Sequence, residues 1–374
     1  MTVSFGPDLP ALAGISTPAL VIDQVALSSN IARMAETARG RGMALRPHAK
    51  THKSGYVAGQ QLAAGAAGIA CATILEAEAL AAAGVTGLLV TSPVVGADKA
   101  ARLARLNRAQ ALTAVVDHPA QVEALAAAVQ SGDRSLELLV DVDVGQGRTG
   151  VANGQDAVAL ARTIAANPRL AFRGLQGYAG HIQHIIDATE RRAAAMRSAE
   201  QLRAVAAGVA AAGLACPVVS GSGTGAHADD ADGPYTEWQV GSYVFMDADY
   251  GAIRQADGQR LPFAQALFVL ATVMSANQPG QITVDAGTKA LATNGPVPDC
   301  FRGLPDGSSY KFGGDEHGII KLPAGASPLP LGARVLIGAT HCDPTVNLHA
   351  CYHVVDASGA VTVTPVLGRY GAVT

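Results

Sequence analysis

Ala44-Leu-Arg-Pro-His-Ala-Lys50-Thr-His-Lys53 reads as an apolar strand end running straight into a lysine flanked by rings and cations. A doubly wound open sheet usually carries a glycine fingerprint in the turn after its first strand, and here that turn holds Lys50 instead. The stretch therefore favours a closed barrel. Burial at a strand end strips water from an ammonium group, and Arg46 and Lys53 disfavour its charge further, so Lys50 is expected to lean towards the neutral, nucleophilic amine. That is the form a lysine needs to make a Schiff base. Of the six lysines, Lys99 and Lys311 sit in polar loop or helix-surface contexts, whereas Pro47, His48 and His52 crowd Lys50. A solvated loop lysine is the competing reading.

Outward from this stretch, apolar runs of strand length recur at 44–49, 68–73, 87–91, 111–116, 136–142, 172–178, 217–220 and 237–245. Ala-rich segments with helical spacing lie between them. In the first such segment Leu27, Ile31, Met34, Ala35 and Ala38 fall on one helix face. Eight strand-helix units predict an α/β fold, a (β/α)8 barrel of the TIM type. From about Ala266 the helical period gives way to apolar runs broken by Gly, Pro and Asn, as in Gln281-Ile-Thr-Val-Asp and Ala333-Arg-Val-Leu-Ile, which predicts a second, mainly β domain. The expected domains are an N-terminal segment 1–24 pairing with the β domain through Ala19-Leu-Val-Ile-Asp, a barrel over 25–265, and the β domain over 266–374.

With 374 residues, 49% of them hydrophobic, the chain can bury a large core. A net charge of -3 without basic runs excludes an electrostatic footprint for nucleic acid or an anionic membrane, so a small molecule is the expected partner. Neither a signal peptide nor an 18-residue apolar run is present, which predicts a cytoplasmic protein. Five cysteines without CxxC spacing predict free thiols.

Barrel chemistry gathers at the carboxyl ends of the strands. Reading those ends gives Lys50 and His52, then Thr73, Asp143 with Arg148, Tyr178 with His181 and His184, and the run Ser220-Gly-Ser222-Gly223-Thr224-Gly225. Small residues in that run can point backbone N–H groups at an anion, and Gly241-Ser242-Tyr243 forms a second such turn. A lysine suited to imine formation beside a phosphate cradle suggests pyridoxal 5'-phosphate. Near the other end, strand alternation in His341-Cys342-Asp343 would set His341 and Asp343 on one face as ligands for a divalent ion. His349, Cys351 and His353 alternate in the same way and would suit zinc, and a purely structural role for all of these residues is the third reading.

The chain resembles the D-threonine aldolase and D-serine dehydratase-like family, of the alanine racemase type (fold type III) among pyridoxal phosphate enzymes. The resemblance rests on Thr17-Pro-Ala-Leu-Val-Ile-Asp23, Arg46-Pro-His-Ala-Lys-Thr-His-Lys53, Asp141-Val-Asp-Val-Gly-Gln-Gly-Arg148, Gly221-Ser-Gly-Thr-Gly225, Gly241-Ser-Tyr-Val-Phe-Met-Asp247, Asp315-Glu-His-Gly318 and His341-Cys-Asp-Pro-Thr345. It implies that Lys50 is the Schiff-base lysine, that Arg148 lies beside the cofactor ring and Tyr178 next to the cofactor, and that the two glycine turns hold its phosphate. Tyr178-Ala-Gly180 departs from the Tyr-His-Gly or Tyr-Gln-Gly of the family. The family's metal ligands match His341 and Asp343. Relatives that eliminate water carry cysteine at the second ligand, so Asp343 points to an aldolase.

The implied reaction is metal-assisted cleavage of a D-β-hydroxy-α-amino acid to glycine and an aldehyde. His184 would be the proton acceptor, with His181 as the alternative base. Manganese is the first expectation for the ion, with magnesium, cobalt and zinc as alternatives, and a homodimer is implied. Three rival readings remain at this point: a D-3-hydroxyaspartate aldolase, a dehydratase of D-serine or D-3-hydroxyaspartate, and a non-catalytic pyridoxal phosphate carrier.

Overall fold

The computed structural model describes residues 9–371. The chain divides into two compact units: one built from 35–241, 254–258 and 367–371, the other from 9–34, 242–253 and 259–366 of the described residues. This division differs from the expected boundaries at 24 and 265, because one long helix is shared and the residues after the last barrel strand belong with the β unit. Residues 1–8 of the expected N-terminal segment lie outside the described residues.

The chain opens with β1 (Ala19–Asp23) and α1 (Gln24–Gly40). Leu27, Ile31, Met34, Ala35 and Ala38 are all buried, as their spacing predicts. In the barrel unit the strands are β2 (Ala44–Leu45), β3 (Ile69–Cys71), β4 (Leu88–Val90), β5 (Leu112–Val116), β6 (Leu136–Asp141), β7 (Leu170–Gly177), β8 (Val218–Gly221) and β9 (Glu237–Trp238). They are parallel, in the order β2-β9-β8-β7-β6-β5-β4-β3. A parallel bridge from His48 to Ala70 joins the two ends of that order, and Ala67 N donates to Leu45 O (2.7 Å) and Ala70 N to Pro47 O (2.9 Å). The sheet thus closes into an eight-stranded barrel.

Helices α2 (Gly55–Ala63), α3 (Ile74–Ala82), α4 (Ala97–Ala109), α5 (Pro119–Ala128), α6 (Gly154–Ala165) and α7 (Ala188–Ala211) follow β2 to β7. Ser54, Thr73, Asn153 and Asp187 cap four of them through their side chains. Two expectations need correction. The connection from β8 to β9 contains only a 3-10 turn at Asp229–Asp232, and the predicted strand 237–245 pairs only at Glu237–Trp238 before a 3-10 turn at Ser242–Val244.

Strand alternation layers the barrel interior. Leu89, Val115 and Leu139 pack together with Val218. Two residues further along the same strands, on the same face, stand Thr91, Asp117, Asp141 and Ser220. An apolar plug therefore lies beneath a polar floor at the carboxyl ends of the strands.

The other unit centres on β1, which is antiparallel to β10 (Leu267–Ser275) and parallel to β16 (Cys351–Val355). β11 (Gln281–Val284), β12 (Phe301–Arg302), β13 (Ser309–Phe312), β14 (Gly318–Lys321), β15 (Arg334–Gly338) and β17 (Val361–Pro365) complete its mostly antiparallel sheet. Its core packs Leu12, Ile15, Val21, Phe268, Leu270, Leu336 and Val355. Two short helices, α8 (Ala248–Gly251) and α9 (Cys342–Leu348), interrupt it. No helix among the described residues is long and apolar enough to cross a membrane, and the five cysteines are free.

One buried ion pair fixes the loop after β2. Lys53 (φ 44°) places Nζ 2.5 Å from Glu76 Oε1 and 3.2 Å from Gly368 O, while Glu76 Oε2 accepts from Ala72 N (2.7 Å). Both side chains are at least nine-tenths buried. Lys53→Met leaves the Glu76 carboxylate buried without its cation, so chemical denaturation should show a loss of about 3–5 kcal/mol. A loss below ~1 kcal/mol would show that water replaces the ammonium.

Candidate active site

At the carboxyl ends of the barrel strands His48, Lys50, Ala72, Thr91, Ser92, Arg148, Gln176, Tyr178 and Gln239 line one cavity. Lys50 sits in a 3-10 turn, Ala49–Thr51, that begins where β2 can no longer pair. His48 caps this turn: its Nδ1 accepts from Lys50 N (3.2 Å), and its Nε2 lies 3.1 Å from Thr91 Oγ1. The Arg148 guanidinium stands 5.8 Å from the Tyr178 ring centre, a cation–π contact. Lys50, Arg148 and Tyr178 are thus gathered as expected.

The neighbouring cations each have a carboxylate partner. Arg46 Nε is paired with Glu237 Oε2 at 2.9 Å and Lys53 with Glu76, so each charge is compensated where it stands. His52 is buried and accepts the Ser54 N–H through Nδ1 at 3.1 Å. Thr73 is a helix cap, and Asp143 Oδ1 accepts from Gly145 N and Gly147 N (both 3.0 Å), which shapes the loop that carries Arg148. His181 and His184 are exposed and neither lines the cavity.

The first glycine turn follows β8. Gly225 N and Ala226 N both donate to Oε1 of buried Gln183 (3.0 and 3.2 Å), so these two N–H groups do not face an anion. A Cβ at Gly223 or Gly225 would collide with Gln183. Ser222 adopts a left-handed conformation (φ 62°), and its buried hydroxyl faces the Asp230 carboxyl without a well-formed hydrogen bond. A buried hydroxyl so weakly engaged in a glycine turn is what a phosphate oxygen would satisfy, and here the residues fit a phosphorylated cofactor. Buried Thr224 lends its carbonyl to His227 Nδ1 (2.8 Å), and burial pushes that imidazole down to about 4. In the second turn, a Cβ on Gly241 would press on Thr51 Oγ1, while Ser242 and Tyr243 are buried within the other unit, Tyr243 beside Phe263.

Behind the first turn Asp230 is 2% exposed, and burial pushes its carboxyl up to about 7. A carboxyl raised in the folded state holds its proton more tightly there, so folding stability falls as pH climbs from about 4 to about 7 and is level beyond. Asp230→Asn should therefore be more stable than the parent above pH 7, by up to about 4 kcal/mol, with the gap closing towards pH 4. Denaturation curves at about pH 4.5 and about pH 8 measure this. An equal gap at both pH values would refute the assignment.

In the β unit the strand expected at 341–343 is the start of α9. His341 is its N-cap and Asp343 lies in its first turn, both half-buried, with Cys342 buried between them. Buried Asp247 ties this helix to α8: Oδ1 accepts from Tyr250 N (2.9 Å) and Oδ2 from Cys342 N (2.8 Å). His349 ends α9 and is not on β16 with Cys351 and His353, and its Nε2 lies 2.9 Å from Ala290 O. Among the described residues no group of three or more His, Cys, Asp or Glu is placed to hold a metal. One imidazole and one carboxylate fit an ion that completes its coordination with water or substrate oxygen.

The fold and the cavity define a class: a closed barrel with a lysine at its mouth, joined to a β unit. The family profile "Alanine racemase, N-terminal domain" matches residues 22–249, and a serine dehydratase domain profile matches 266–355. The chain is 40% identical to a D-threonine aldolase of Arthrobacter sp over 90% of this chain and 88% of the relative. It is 38% identical to a 3-hydroxy-D-aspartate aldolase of Paracoccus denitrificans (strain Pd 1222) over 97% and 96%. A crystal structure of D-threonine aldolase from Filomicrobium marinum superposes with a TM-score of 0.90 at 38% identity, covering 96% of this chain and 97% of that one. The chain belongs to this family of alanine racemase-type proteins, and the two relatives named as aldolases are carbon–carbon lyases.

His48, Thr91, Ser92, Gln176 and Gln239 are cavity residues that sequence reading missed. Gln176 did carry a signal: it stands two residues before the end of the run 172–178, where alternation turns it inwards.

Proposed function

We propose that the protein cleaves D-β-hydroxy-α-amino acids of the D-threonine type to glycine and an aldehyde, using pyridoxal 5'-phosphate and a divalent metal. The observation that carries this reading is the cavity that brings Lys50, Arg148 and Tyr178 together at the barrel mouth of a chain from this aldolase family. Lys50 would hold the cofactor covalently, Arg148 and Tyr178 would flank its ring, and Ser222 with the backbone of Gly223 and Thr224 and the turn at Gly241–Tyr243 would take its phosphate, Gly225 shaping the turn through Gln183. When bound, the cofactor supplies an electron sink for the pair released as Cα–Cβ breaks.

His341 and Asp343 would hold the metal, which lowers the pKa of a hydroxyl bound to it. His184 would accept the hydroxyl proton, with His181 as the alternative. His184→Ala should then lower kcat by roughly a hundredfold to ten-thousandfold, and an unchanged kcat would remove His184 from the scheme. Manganese is the ion proposed first.

The test is purified protein incubated with pyridoxal phosphate, manganese and D-threonine, followed by assay of glycine and acetaldehyde. Silence towards D-threonine and towards a panel of other D-β-hydroxy amino acids would sink the proposal. A second reading, cleavage of 3-hydroxy-D-aspartate, is favoured by the Paracoccus denitrificans relative, and glyoxylate as the product identifies it. Ammonia with a keto acid would instead mark a dehydratase.

A further inference from the structure

The glycine turn after β8 is backed by a buried carboxyl that no cation answers. Asp230 stands in the 3-10 turn Asp229–Asp232, and neither of its side-chain oxygens has a well-formed hydrogen bond. The buried Ser222 hydroxyl faces it and is equally unengaged. Among the described residues, the charged and donating groups around this pair are committed elsewhere. Arg191 of α7 places Nε 2.6 Å from Asp229 Oδ2 and gives its other nitrogens to the carbonyls of Ile185, Ile186 and Arg254. Arg192 faces Asp232 (3.2 Å), and Arg41 lies over the Trp238 ring (5.9 Å) and donates to Ala228 O (3.2 Å). The Tyr235 hydroxyl donates to Gly177 O (3.3 Å). His227 holds Thr224 O through Nδ1 (2.8 Å), and burial keeps its ring neutral. Asp229, the like charge on the same turn, adds to the effect of burial on Asp230.

The proton on Asp230 decides what Ser222 offers. A protonated carboxyl has one O–H to give, and the Ser222 oxygen is the acceptor that it faces. Ser222 Oγ then accepts from Asp230 and keeps its own hydrogen for a second acceptor. An ionised carboxylate only accepts, and it would take that hydrogen for itself. Ser222 therefore meets an anion with a hydrogen in the first state and with lone pairs in the second. A dianionic phosphate in the turn also opposes a second negative charge beside it, because water is not there to screen the two.

We propose that Asp230 is a positioning residue that serves as a neutral acid: it donates to Ser222, turns the Ser222 hydrogen towards the cofactor phosphate, and so couples cofactor binding to the uptake of a proton. The inference rests on the function proposed above. Its sign follows from linkage. The free carboxyl titrates at about 7, and a bound phosphate raises that value further. Affinity is then level at lower pH, where the free site already carries the proton, and falls as pH climbs from the free value towards the bound one.

The experiment titrates the full chain with pyridoxal phosphate and with pyridoxal, which lacks the phosphate, and follows the near-violet absorbance band. The ratio of the two affinities cancels the pH dependence of Lys50, and ionisation of the phosphate itself is nearly complete above about pH 7. In the parent the preference for the phosphorylated ligand should fall by roughly tenfold between about pH 7 and about pH 8.5. Asp230→Asn, whose amide nitrogen donates to Ser222 at every pH, should hold its preference to within about twofold over the same range. A second measurement needs only the parent. Calorimetry at about pH 8, in two buffers of different protonation enthalpy, should count roughly half a proton or more taken up with pyridoxal phosphate beyond that taken up with pyridoxal. A level preference in the parent, an equal fall in parent and variant, or equal proton counts for the two ligands overturns the inference. The proton count decides alone if Asp230→Asn does not fold. A parent without a Lys50-dependent band defeats the proposed function itself, whereas a normal band with a level preference defeats only the role of Asp230.

Discussion

Lys50→Ala should abolish the near-violet band that pyridoxal phosphate gives with the parent protein and lower aldolase turnover by on the order of ten-thousandfold or more. The magnitude follows from the proposed role of the amine, which would anchor the cofactor's reactive carbon, and no other lysine lines this cavity. Lys53, three residues on, is committed to Glu76 and Gly368 and cannot take over. The variant should still fold. Lys50 is half-buried in a turn whose backbone bonds and His48 cap do not involve its side chain, so the variant's melting temperature should match the parent's to within a few degrees. A variant that keeps the band and the activity would remove Lys50 from the chemistry altogether.

Chelation of the metal, or Asp343→Ala, should lower cleavage by about a thousandfold while leaving the near-violet band in place. A bound divalent ion contributes several kcal/mol by stabilising the charge that develops on the hydroxyl oxygen, and this support is independent of how Lys50 holds its ligand. Added manganese should restore the chelated parent. It should not restore Asp343→Ala, where one of the two proposed protein ligands is gone. Titration with magnesium, cobalt and zinc then ranks the ions. Activity that survives exhaustive chelation would discard the metal, and a band that vanishes together with it would show that His341 and Asp343 serve the fold instead.

Much of this architecture was legible in the sequence, and the failures have physical reasons. The period Leu27, Ile31, Met34, Ala35, Ala38 and the regular return of short apolar runs identified the barrel, because a parallel strand buried on both faces must be apolar throughout. The strand expected at 237–245 failed because Trp238 is the last residue to pair before the chain turns at Ser242. Alternation at 341–343 misled because Pro344 sits in the first turn of a helix, a start signal that a two-residue period ignores. The pairing of Arg46 and Lys53 escaped the reading for a different reason: their partners, Glu237 and Glu76, are remote in sequence and no local pattern announces them. The polar floor was out of reach for the same reason.

β1 has a consequence for biosynthesis. It leaves the ribosome more than 240 residues before either of its partners, β10 and β16, with Leu20 pairing to Val269 and to Tyr352. During translation the whole barrel sequence is made while this Ala-Leu-Val-Ile segment waits without a sheet to join, a nascent stretch suited to chaperone capture or to premature pairing with a sister chain. Slow, length-dependent recovery after dilution from denaturant, with the barrel regaining its helices before the β unit regains protected amides, is the kinetic signature of that order of events.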